Sequence, residues 1–138
     1  MQTPKVIKTG KDNGEGMVIH YRTGKGTSVY GMGIPNLWGG EGWDLGPTWC
    51  YLIIGPRTIL IDTGRFGNFD VIQTLLKETG KVLSDIDIII VTHSHEDHDG
   101  NLPEILTESD AELWAHMIYP HMIAYYPDII DGAAHPEL

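Results

Sequence analysis

The chain has 138 residues, enough for one domain, with 41% apolar residues and a formal net charge of −10 from 19 acidic and 9 basic residues. That balance argues against nucleic acid and anionic membrane surfaces as partners, because such binding runs on Lys and Arg neutralising phosphates. No apolar run approaches the ~20 residues of a membrane span. The lone cysteine, Cys50, precludes an intrachain disulfide, and residues 1–9 hold no signal-peptide core, so the expected location is cytoplasmic.

Residues 1–16 are polar and glycine-bearing and carry no clear element. Residues 18–21 and 28–30 read as short strands separated by the Thr23-Gly24-Lys25-Gly26 turn. Residues 31–47 hold six glycines, two prolines and two tryptophans, Trp38 and Trp43, which reads as a loop with large apolar handles. Residues 48–54 and 58–62 read as a hairpin around Gly55-Pro56-Arg57, with Cys50 a small core residue rather than a nucleophile. Over residues 69–79, Val71, Ile72, Leu75 and Leu76 fall on one helical face, and Gly80 supplies the stop. Residues 86–92 read as a strand, 102–107 as a helix, 112–115 as a strand and 117–126 as a helix. The strands at 49–54, 59–61 and 86–91 are apolar at both parities, the pattern of strands buried on both faces. About three helices can cover one face, so the chain is expected to be a homo-oligomer or to lack the part of its domain that covers the other.

The chemistry concentrates where the third of those strands runs out, at Thr92-His93-Ser94-His95-Glu96-Asp97-His98-Asp99-Gly100. Imidazole and carboxylate are the ligands that suit zinc. His93 and His95 are two apart, which puts both rings on one side of an extended segment. A turn after Glu96 can bring Asp97 and His98 in beside them. Four donors exceed what one catalytic ion usually takes from a short segment, so one ion or a pair is expected, a pair being divided with His93 and His95 on one and Asp97 and His98 on the other.

The His-x-His-x-Asp-His run after a short Ile/Val strand resembles the metallo-β-lactamase superfamily. The upstream Leu60-Ile61-Asp62-Thr63-Gly64 and the Gly100-Asn101-Leu102-Pro103 continuation match the same pattern. The resemblance covers about residues 17–126 and implies an α/β (α+β) fold, the N-terminal half of a four-layer αββα sandwich, with a mixed sheet and helices on one face. It gives the same division of the four ligands between two ions. It makes Asp62 a partner that orients a ligand histidine, the favoured reading; the other is a turn residue bonding its own backbone. It sets Trp38 and Trp43 beside the metal cleft as substrate-pocket candidates, the other reading being that they cover their own loop.

The implied activity is hydrolysis of a small ester, thioester, lactone or related substrate by a water ionised on zinc, with Asp97 both ligand and guide for the nucleophile. Iron and manganese are the alternative metals. His95 argues against the diiron flavoprotein branch, which carries a glutamate there. The resemblance also calls for later ligands, and the candidates after His98 are His116, His121 and His135, none in the expected setting. Hence a rival expectation, a single truncated domain over residues 1–138 that is catalytically incomplete or serves in assembly, its site needing a second chain or a missing C-terminal half.

Overall fold

A computed structural model of the chain describes residues 3–36 and 46–125. Within them a seven-stranded mixed sheet runs in chain order: β1 Lys5–Lys8, β2 Val18–Arg22, β3 Ser28–Ile34, β4 Thr48–Ile54, β5 Thr58–Ile61, β6 Ile88–Val91 and β7 Glu112–Ala115. Strands β1 to β5 are joined antiparallel, and β5, β6 and β7 lie parallel. Parallel neighbours need a crossover. Helix α1 (Phe69–Glu78) and a short 3-10 turn (Leu83–Asp85) make the first, and helix α2 (Leu102–Glu108) makes the second. Helix α3 (Tyr119–Tyr125) follows β7. Among the described residues no helix is long and apolar enough to cross a membrane.

The register explains the core. Met32 pairs with Cys50, Leu52 with Leu60, and Leu60 with Ile89, so these side chains share one face of the sheet. They pack against Ile72, Leu75 and Leu76 of α1, Leu102 and Ile105 of α2, and Tyr119 of α3. Helix α1 holds its buried stripe at the positions its periodicity predicts, with Asp70 in the first turn and Lys77 in the last, each favourable to the helix dipole. Gly80 takes φ +81° and its N–H bonds the Lys77 carbonyl, closing the helix as expected.

The opposite face carries the row Tyr51, Ile61, Ile90 and Trp114, aligned across β4 to β7. It is only half-covered: Tyr51 is 40% and Trp114 50% exposed. The double-sided burial suggested by the sequence is therefore realised on one face only, because the described helices all pack against the other. The α/β architecture, a mixed sheet with helices on one face, is the one the sequence implies.

Strand β1 was not expected. Its four residues are too few to show a period, and it forms because Val6 and Lys5 find partners in Ile19 and His20 of β2. A register irregularity between Val6 and Lys8, with lysines at both ends, suits an edge strand.

Candidate metal centre

The C-terminal ends of the parallel strands β5 and β6 lie side by side, and each runs into a loop. The two loops, residues 62–66 and 92–101, lie backbone on backbone. Thr63 N–H donates to the His98 carbonyl (2.7 Å), Gly100 N–H to the Gly64 carbonyl (2.9 Å) and Phe66 N–H to the Glu96 carbonyl (3.2 Å). Glycine is required on both sides. A Cβ on Gly100 would collide with the Phe66 nitrogen and the Glu96 carbonyl, and Gly64 has φ +71° with Ile34 Cγ2 only 2.6 Å from where its Cβ would stand. Asn101 is fully buried and adds two bonds from its amide, to the Thr63 and Arg65 carbonyls.

Asp62 sits where β5 ends, 4% exposed, with φ +61°, a left-handed conformation that Asp tolerates better than most residues. Its carboxylate reaches residues 30 and 36 positions away. Oδ1 accepts from the Thr92 backbone N–H (2.8 Å). Oδ2 accepts from the Thr92 hydroxyl (2.7 Å) and lies 2.8 Å from His98 Nδ1. The protons follow. A carboxylate only accepts, so His98 carries its proton on Nδ1 and Thr92 spends its single proton on Asp62. The Thr92 oxygen, 2.9 Å from His93 Nδ1, must then accept from it, so His93 also is protonated on Nδ1. In their neutral forms, His93 and His98 are thus both left by one buried carboxylate with their lone pairs on Nε2.

The three imidazoles cluster. The ring centres of His93 and His98 are 4.0 Å apart and those of His93 and His95 4.7 Å. The Asp62 hydrogen bond raises the His98 pKa above the ordinary histidine value. Burial first, then repulsion from His98 and His95, lowers that of His93 and favours its neutral form.

Asp97 Oδ2 lies 3.4 Å from His98 Nε2. Two ligands about 2.0–2.1 Å from one tetrahedral ion stand about 3.3–3.4 Å apart. The same oxygen accepts from the Thr48 hydroxyl (2.7 Å) and the Asn36 amide (3.0 Å). The donor types and this spacing fit a divalent metal. Among the described residues, however, no group of three or more His, Cys, Asp or Glu side chains is so placed that it could hold an ion by itself. The loop brings two ligand-type donors, Asp97 Oδ2 and His98 Nε2, within 3.4 Å of each other.

The other candidates disperse. Glu96 turns to Arg65 (3.6 Å), and Asp99 is buried, accepting from the Tyr119 hydroxyl (2.8 Å). His116 and His121 are exposed, and the His116 ring accepts from the Ile118 N–H of its own turn. Trp38, Trp43 and His135 lie outside the described residues. Cys50 is fully buried and burial pushes its thiol up, as befits a core residue. Thr92, Thr48, Asn36 and Arg65 were not singled out by sequence. Only Thr92 had a usable signal, a hydroxyl directly preceding the first histidine.

Comparison with known proteins places this geometry in a family. The model of the metallo-beta-lactamase superfamily matches residues 43–136. A stretch of 48 residues is 50% identical to a probable metallo-hydrolase of Methanocaldococcus jannaschii, spanning 35% of this chain and 22% of that one. A stretch of 73 residues is 38% identical to metallo-beta-lactamase domain-containing protein 1 of Xenopus laevis, spanning 49% of this chain and 30% of the relative. Among solved structures, a subclass B3 metallo-beta-lactamase of Bradyrhizobium japonicum superposes with a TM-score of 0.57 at 27% identity, over 72% of this chain and 34% of that enzyme. The chain therefore spans about a third or less of each of these relatives. The matched family model covers the Asp62 turn, the histidine loop and both parallel crossovers, and the chain belongs to the metallo-beta-lactamase superfamily.

Proposed function

We propose that the chain supplies the first part of the metal site of a zinc-dependent hydrolase, with His93, His95, Asp97 and His98 as its ligands. The observation that carries this reading is the tautomer control by Asp62, which holds His98 directly and His93 through Thr92. Ligand histidines commonly donate their other ring N–H to a carboxylate or another acceptor, which fixes the ring and makes the coordinating nitrogen more basic. A surface cluster of histidines has no need of such an arrangement.

Zinc at such a site acts as a Lewis acid that lowers the pKa of a bound water towards ~7, which suits hydrolysis of a small ester, thioester or lactone. The chain's own residues prepare the place. Asp62 orients two imidazoles, Asp97 presents its carboxylate beside His98, and the bonded loops keep these groups in register. The remaining ligands come from outside the described residues, either from a further segment of the same domain or from a second chain. The half-covered face with Tyr51, Ile61, Ile90 and Trp114 is where such a part would pack.

The rival is an assembly module that binds metal weakly and turns over nothing. It is favoured by the lack of a three-ligand group among the described residues. Native mass spectrometry, with metal content and an ester, thioester and lactone screen, separates the two. Bound zinc and chelator-sensitive hydrolysis, both abolished by His95→Ala, support the hydrolase. Metal uptake without turnover in any assembled form supports the module, and unchanged zinc content in His95→Ala sinks the ligand assignment.

A further inference from the structure

We propose that Asn36 and Thr48 are positioning residues that aim the Asp97 carboxylate, and that Arg65 sets the orientation of Asn36. This deepens the metal reading above and rests on it. Asp97 Oδ2 accepts from two neutral donors, Thr48 Oγ1 at 2.7 Å and Asn36 Nδ2 at 3.0 Å. Asn36 and Thr48 lie 61 and 49 residues upstream of Asp97, on either side of the glycine- and tryptophan-rich segment 37–47 in the sequence. Thr48 is a buried residue at the start of β4, opposite Ile34 at the end of β3, so its hydroxyl is carried by the sheet itself.

The Asn36 amide is fixed by charge. Arg65 Nη1 donates to Asn36 Oδ1 at 2.9 Å, and a guanidinium has no acceptor to offer. The oxygen must face Arg65, so the NH2 group must face Asp97. Arg65 is itself 8% exposed and paired with Glu96 at 3.6 Å, on the residue next to Asp97. The chain of contacts Glu96–Arg65–Asn36–Asp97 therefore closes on itself and offers Asn36 one orientation only.

Neutral donors orient a carboxylate without cancelling its charge. That is what a metal ligand needs and what a direct salt bridge would deny it. Asp97 would otherwise choose freely among rotamers in a loop. With Thr48 and Asn36 engaging both lone-pair sites of Oδ2, the carboxylate stays beside His98, Oδ2 at 3.4 Å from Nε2, and Oδ1 is the oxygen turned to meet an ion.

The test is a titration of the whole chain with cobalt(II), whose visible spectrum reports ligand geometry, together with zinc competition against a chromophoric chelator. Thr48→Val keeps the shape and removes the hydroxyl; it should weaken zinc binding about 10- to 100-fold and change the cobalt spectrum, while Thr48→Ser restores both to within about threefold. Unaltered binding in Thr48→Val, or equal loss in both variants, overturns the assignment. A parent chain that takes up no cobalt overturns the metal reading instead. The positioning claim is then decided by the metal-free crystal structure of the Asn36→Ala/Thr48→Val variant. An Asp97 carboxylate that leaves His98 supports it, and one that keeps its place beside His98 Nε2 refutes it.

Discussion

Two seams hold this chain together, and they are built on opposite principles. The seam between the helices and the sheet is apolar: Leu75 and Leu76 of α1 meet Met32, Leu52 and Leu60, and no hydrogen bond dictates their arrangement. The seam between the loops after β5 and β6 is polar, and nearly every contact in it names a donor and an acceptor. The first kind of contact is non-directional and roughly proportional to area, so it stabilises without placing any atom closely. The second contributes little net energy per bond but fixes positions and protonation. The chain uses bulk burial to stay folded and directed bonds to shape its site.

Single substitutions on either seam test whether the two act independently. Leu75→Ala, at a residue 2% exposed, should cost about 2–5 kcal/mol in urea unfolding through the lost transfer energy and the cavity left behind. Metal affinity of the fraction that remains folded should be unchanged. A large affinity loss would mean that the seams are not separable.

Gly100→Ala adds one methyl group to the polar seam and should cost about 1–3 kcal/mol, because its Cβ meets backbone rather than a yielding side chain. Its signature differs from that of Leu75→Ala: hydrogen exchange at the amides of Thr63 and Phe66 should accelerate well before the core opens. Uniform acceleration across the chain would show that the loops are no distinct unit.

Asp62→Asn is the mildest in volume. It places an NH2 group either against the Thr92 backbone N–H or, with the amide flipped, against both the His98 Nδ1–H and the Thr92 hydroxyl, each of which requires an acceptor. No orientation of the amide serves all three donors, so zinc affinity should fall about 10- to 100-fold, and 15N spectra of the parent chain should place the neutral His98 proton on Nδ1. A parent chain whose neutral His98 carries its proton on Nε2 would refute this proton placement.

Much of the apolar seam could be read in the sequence. Period-3.6 spacing showed α1, continuous apolar runs showed β4, β5 and β6, and Gly80 marked a helix end. The double-sided apolar pattern did not translate into double-sided burial, since period alone does not say what lies against a strand. The polar seam was legible only where motif chemistry was dense, at His93 to His98 and at Asp62. Thr48, Asn36 and Arg65 were hidden because a hydrogen bond to a residue 29 to 61 positions away leaves no periodic trace. Strand β1 was hidden for a related reason, since four residues gain their structure entirely from a partner strand.

The parallel pairing of β5 with β6 also sets an order of events. Asp62 and His98 are 36 residues apart and meet only when the crossover through α1 has closed and β6 has docked beside β5. Closing a loop of that length carries an entropic cost that must be met before any long-range contact rewards it. An unfolded chain therefore offers a metal ion only flexible histidines, and the prepared imidazoles come into being late. Zinc added during refolding should act mainly on the unfolding rate, as a late lock on a topology already chosen by the apolar core.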